Sequence, residues 1–101
     1  MTDRSRFRNR RYGESFEFSH DGVGYHAFVN RLDNGQIGEL FVDAGKVGTT
    51  AFTIAKEAAV LFSLARQFGA PLAVIRAALP RLEDGAPAGP TGMALAIAEA
   101  T

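Results

Sequence analysis

Between Gly13 and Gly45 the apolar side chains come in short runs interleaved with polar ones, and two turn signals divide them, Asp21-Gly22 and Asp33-Asn34-Gly35. Both supply residues that tolerate positive φ, as a tight antiparallel connection requires. The pattern predicts three strands, near 14–19, 24–32 and 36–43, joined as a meander. On the first, Phe16 and Phe18 share a face, with Glu14 and Glu17 flanking them in sequence. On the third, Leu40 and Val42 oppose Ile37 and Phe41, so both faces are apolar and this strand is expected to be the most covered.

From Thr50 the period lengthens. In "TAFTIAKEAAVLFSLARQFG" Phe52, Ala55, Ala59, Phe62 and Ala65 fall along one helical stripe, with Ile54, Ala58, Leu61, Leu64 and Phe68 beside it. Lys56, Glu57, Arg66 and Gln67 are left for solvent, and the width of the apolar arc predicts a central helix touched from two sides. Thr49 or Thr50 is placed to cap its start, and Gly69 to end it in a left-handed conformation. Pro71 suits the first turn of a second helix over 71–79, where Leu72, Ile75 and Leu79 form a stripe that Pro80 stops. "RLEDGAPAGPTG" reads as a Gly/Pro loop and "MALAIAEA" as a short helix capped by Thr91. Strands followed by helices imply an α+β fold, a three-stranded antiparallel meander with two or three helices packed on one face. A flexible arginine-rich arm over 1–12 is expected to precede a single domain over 13–101.

The 101 residues leave room for one domain, and 47% apolar with 22% charged residues is the balance of a soluble globular chain. No run reaches the roughly 18 apolar residues of a membrane span, and the N-terminus lacks the apolar stretch of a signal peptide, so the expected location is the cytoplasm. Cysteine is absent, which removes disulfides, thiolate metal sites, thiol nucleophiles and thiyl radicals together. The neutral total charge hides a dipolar distribution. Arg4, Arg6, Arg8, Arg10 and Arg11 against Asp3 make the first eleven residues basic, and the remainder is acidic by the same amount. Clustered guanidinium groups attract phosphates, so the arm is a candidate contact for nucleic acid or an acidic protein surface. The case for nucleic acid is weak. Only Phe7 and Tyr12 could stack on bases, and a solvated leader is the plainer alternative.

"FVDAGKVGTT" has the order strand, glycine turn with lysine, helix, which raises the prospect of a phosphate cradle. It is not a P-loop, because Lys46 precedes Gly48 and the first glycine of G-x-x-x-x-G-K-[ST] is missing. A simpler anion or nucleotide contact at Gly45, Lys46, Gly48, Thr49 and Thr50 remains, since the amides and dipole of a helix start favour negative charge. The alternative is a tight turn that needs glycine for its backbone angles. His20 and His26 lack an acidic pair at ligand spacing, so no metal is expected. Glu14, Glu17, Glu39, Asp43 and Glu57 could serve acid–base chemistry, but no spacing selects a pair. Ser15, Ser19 and Ser63 lack a nucleophile elbow. No catalytic residue and no cofactor is predicted. The Gly85–Gly92 loop, stiffened by Pro87 and Pro90, has a length often found at functional sites, or else it simply covers the edge of the core.

The ordered set "GQIGELFVDAGKVGTT", "AKEAAVLFSLARQFG", "APLAVIRAALPRL" and a Gly/Pro loop into "GMALAIAEA" resembles the TSCPD domain, found near the C-terminus of cobalamin-dependent ribonucleotide reductases and as free-standing small proteins, many bacterial or prophage-borne. The resemblance covers about residues 14–100, and its most specific part is Gly45-Lys46-Val47-Gly48-Thr49. Where the family carries Thr-Ser-Cys-Pro-Asp before Ala-Leu-Ala, this chain has Ala88-Gly89-Pro90-Thr91-Gly92-Met93, without the cysteine. Ribonucleotide reduction, as the large relatives perform it, needs a radical cysteine, a redox pair and a separate barrel, which this chain does not supply. The resemblance therefore implies a noncatalytic accessory or interaction module that docks to a reductase or senses a nucleotide, with Lys46 as the anion contact. The alternative is a phage-type binder of nucleic acid or a partner protein through the arginine arm; a small enzyme would need converging titratable groups that the spacing does not reveal. A sheet covered on one face also leaves Phe28, Ile37 and Phe41 as an expected open apolar face, suited to a homodimer. If the arm binds DNA, fluorescence anisotropy will show affinity that falls steeply with salt and vanishes when residues 1–11 are removed; binding that survives both changes contradicts that role.

Overall fold

Asp21 and Gly22 both take positive φ, 52° and 78°, the two-residue turn whose twist matches that of the strands it joins. It connects strand β1 (Gly13–His20) to strand β2 (Val23–Arg31), paired antiparallel from Gly13↔Asn30 to His20↔Val23. In this computed structural model, which describes residues 13–44 and 49–100, strand β3 (Ile37–Ala44) follows and completes a sheet of order β1-β2-β3. Helices α1 (Thr50–Gln67), α2 (Leu72–Ala78) and α3 (Pro90–Glu99) come after it. This is the α+β meander followed by helices that the sequence pattern predicts.

One face of the sheet forms the core. Tyr25, Ala27 and Val29 of β2 and Leu40, Val42 and Ala44 of β3 are buried beneath Ala55, Ala59 and Phe62 of α1 and Ala94, Leu95 and Ala98 of α3. Phe16 and Phe18 of β1 pack at its margin, Phe18 stacked on Tyr25 with ring centroids 5.3 Å apart. The alternation expected on β3 is interrupted. Asn30 pairs with Glu39 but Arg31 pairs with Ile37, so Gly38 is an extra residue on β3. The bulge turns Ile37 inward, where it is fully buried, and removes it from the open face on which simple alternation places it.

The helix ends follow local chemistry. Thr49 caps α1 by accepting a hydrogen bond from Phe52 N at 3.1 Å. At the other end Gly69 has φ 97°, Ala70 N donates to Ala65 O and Gly69 N to Arg66 O, the paired bonds of a Schellman ending. Thr91 does not cap α3. Pro90 occupies the first turn, Gly89 holds the cap position, and Thr91 lies inside the helix, its hydroxyl buried without a hydrogen-bond partner among the described residues. A turn motif recurs at two places. Arg31-Leu32-Asp33-Asn34-Gly35 and Arg81-Leu82-Glu83-Asp84-Gly85 each end in a glycine of positive φ, whose N–H donates to the leucine carbonyl and whose carbonyl accepts from the arginine. The second copy closes the Gly/Pro segment into a small clasp bridged at Arg81↔Pro87, with Ala88 N on Pro80 O.

Strand β3 lies at an edge of the sheet, and α1 covers it. Leu40 N donates to Ser63 Oγ at 3.0 Å and the Ser63 hydroxyl donates to Leu40 O at 3.1 Å, so one side chain satisfies both edge groups. One turn later Arg66, 7% exposed, donates to Ile37 O, Ala70 O and Gln36 Oε1 at 2.8, 2.8 and 3.0 Å. Arg66 was expected at the solvent face; long-range carbonyl acceptors draw it inside instead. Burial pushes its pKa below the ordinary value, with the negative charge of Glu99 opposing, and the guanidinium stays protonated across the accessible pH range. The opposite margin of the sheet is tied by Arg31, which reaches Glu14 of β1 at 3.0 Å and Ala98 O of α3 at 2.8 Å.

Ser63→Ala strands the Leu40 amide and carbonyl at the covered edge and is expected to cost about 1–3 kcal/mol in urea unfolding. Arg66→Met removes three bonds from a charged donor and is expected to cost about 2–3 kcal/mol. Unchanged midpoints in both would show that α1 does not seal this edge.

Candidate docking surface

The register sorts the uncovered sheet face into three rows across the strands: Gly13, Asn30 and Glu39; Ser15, Phe28 and Phe41; and Glu17, His26 and Asp43. The middle row is aromatic. Phe28 and Phe41 are 37% and 51% exposed, with ring centroids 6.3 Å apart. The Phe28 ring lies over Gly13, where an added Cβ would stand 2.5 Å from Cζ, so the glycine is needed for that close approach. In the first row Asn30 Nδ2 donates to Glu39 Oε1 at 2.8 Å.

Beyond Phe41 the surface dips into a groove between β3 and α1, about 280 Å³ in volume, walled by Phe41, Val60, Ser63 and Leu64. Lys56 spans one end, 3.2 Å from Asp43 Oδ1 and over the Phe52 ring at 5.3 Å. Both members of that ion pair are about half exposed, so it contributes little to stability. On the far side of the groove α1 presents Ile54, Val60, Leu61, Leu64 and Phe68, each at least 40% exposed. The wide apolar arc of α1 predicted a helix touched from two sides. The described chain covers only one, through Ala55, Ala59, Phe62, Ser63 and Arg66, and leaves the other to solvent. Exposed apolar side chains gathered on one helix face are candidates for an interaction site.

Thr49 and Thr50 stand at the start of α1, with the Thr49 hydroxyl engaged in capping. Gly45, Lys46 and Gly48 lie outside the described residues, as do Arg4, Arg6, Arg8, Arg10 and Arg11. His26 sits between Glu17 and Asp43 on the open face, whereas His20 approaches Pro87 O at 3.4 Å. Among the described residues no cluster of three His, Cys, Asp or Glu side chains could hold a metal ion. No described helix is long and apolar enough to cross a membrane. The sequence pattern places Ile54, Leu61, Leu64 and Phe68 beside the core stripe of α1 without separating them as an outer face. The 3-4 spacing of Ile54, Leu61, Leu64 and Phe68 was the available signal, hidden because the inner face is apolar too.

No family model, no curated protein and no solved structure matches the chain.

The outer residues of α1 are expected to be dispensable for folding. Leu61→Ser should leave the thermal midpoint of dilute protein unchanged within the effect of about 0.5 kcal/mol typical of surface positions, whereas Leu95→Ala in the core should cost about 2–5 kcal/mol. A Leu61→Ser penalty as large as that of Leu95→Ala would show that α1 is covered on both sides within one chain.

Proposed function

We propose that this chain is a noncatalytic interaction module that docks onto another protein. The observation that carries this reading is the set of exposed apolar side chains that runs from Phe28 and Phe41, along the β3–α1 groove, to the outer face of α1. Such a surface recognises an apolar partner by burial, with aromatic side chains as its anchors. The walls of the groove are mainly apolar, which favours a side chain of a partner over a nucleotide.

The resemblance to the TSCPD domain supports a ribonucleotide reductase of the cobalamin-dependent type as the partner and a cytoplasmic setting. A nucleotide at the start of α1, held by Lys46 with Gly45, Gly48, Thr49 and Thr50, is a secondary proposal resting on that resemblance. No acidic residue occupies the first turn of α1, so the end of the helix dipole there is not neutralised locally.

Biolayer interferometry with a purified cobalamin-dependent reductase tests the main reading. The intact chain is expected to bind, and Phe41→Glu to weaken binding about tenfold or more, as removal of a central aromatic anchor does. Equal binding by both proteins would show that this surface is not the docking site, and absence of binding by either would remove the reductase as partner.

A further inference from the structure

The outward face of α1 has its own internal order. Ile54, Glu57, Leu61, Leu64 and the C-cap Phe68 are separated alternately by three and four residues, the spacing that keeps one seam of a helix facing another helix. At 1.5 Å per residue the seam runs for about 21 Å. The flanking positions, Thr53, Ala58, Val60, Ala65 and Gln67, carry no charge. Charges at such positions ordinarily select a foreign helix and reject a copy; here nothing selects the one or opposes the other.

We propose that the occupant of this seam is the same helix of a second copy, packed antiparallel across a two-fold axis at Leu61. The sizes of the side chains suit that arrangement. With Leu61 on its own copy, Leu64 lies opposite Ala58, Ile54 opposite Phe68, and Glu57 opposite Ala65. Leu61 packs on its own copy at the axis, Leu64 and Glu57 each meet a small alanine, and Ile54 meets Phe68 at the two ends of the seam; Ala58 and Ala65 let the helices approach toward the short end of the 8–10 Å range of interaxial distances. A parallel pairing in register would set Glu57 against Glu57 within an apolar seam, a like-charge contact that the antiparallel pairing avoids. An isologous contact of this kind closes on itself and does not propagate. It would bury Ile54, Leu61, Leu64 and Phe68, and leave Phe28 on the open sheet face for the partner protein. The inference thus deepens the docking reading by naming the occupant of one part of the surface.

The absence of cysteine makes the test clean, since an introduced thiol has no competitor within the chain. Single variants Leu61→Cys, Ile54→Cys and Val74→Cys are oxidised at micromolar concentration, with Val74, 62% exposed on α2, as the reference for random collision. Leu61→Cys is expected to form a disulfide dimer about tenfold faster than Val74→Cys, because pairing raises the local thiol concentration. Ile54→Cys should crosslink no faster than the reference alone, and rapidly when mixed with Phe68→Cys. Rapid homodimerisation of Ile54→Cys would replace the antiparallel arrangement by a parallel one, and equal rates at all positions would overturn the pairing altogether. Loss of the pairing with reductase binding intact would leave the docking reading standing. Pairing without reductase binding would remove the reductase alone.

Discussion

The molecule is organised around a single problem, the edge of strand β3. A strand at a sheet edge presents backbone amides and carbonyls that must be satisfied by water, by another strand or by side chains. Here α1 lies along that edge, and the Ser63 hydroxyl and Arg66 guanidinium take the polar groups that a fourth strand would otherwise bond. Two polar residues, spaced so that both fall on the inner face of the helix, therefore set its rotation about its own axis. The consequence reaches the surface. With Ala55, Ala59, Phe62, Ser63 and Arg66 inside, the residues that must face outward include Ile54, Leu61 and Leu64.

That chain of constraint explains why an apolar face is exposed on a helix that is otherwise well packed. If burial of apolar area alone decided the orientation, rotating α1 would bring its larger aliphatic side chains into the core. The rotation would strand the Leu40 and Ile37 backbone groups and expel Arg66 from its three acceptors. Losing those bonds at a covered edge costs about 1–3 kcal/mol for each unsatisfied group, comparable to the gain from burying one additional aliphatic side chain, about 1.5–3 kcal/mol. Covering the outer face with a second molecule achieves the burial without breaking the edge bonds.

The readable parts of the fold are those encoded by local chemistry. Asp21-Gly22, Gly35 and Gly69 mark turns because their φ values require such residues, and Thr49 caps α1 from the residue beside it. What could not be read depends on distant partners. The inward course of Arg66 is decided by Ile37 O, 29 positions away, and the inward turn of Ile37 by a bulge at Gly38 that hydrophobic alternation alone does not reveal. Thr91 resembled a cap because it precedes an apolar run, yet Pro90 had already started the helix. The candidate docking surface was half legible. Phe28 and Phe41 fall together on the open sheet face as alternation implies, whereas the outer seam of α1 was concealed within an arc apolar on both sides.

The central claim, that polar bonds to the β3 edge hold α1 with its aliphatic seam outward for a docking partner, is tested most directly by thiol labelling kinetics at two positions. Single cysteines replace Leu61, 67% exposed, and Ala59, 2% exposed, in the cysteine-free chain, and alkylation is followed as protein concentration is raised. Fast labelling at position 61 in dilute solution, slowing as the seam becomes occupied, is expected together with slow labelling at position 59 throughout. Labelling at 61 as slow as at 59 in dilute solution, or fast at every concentration, would contradict the claim.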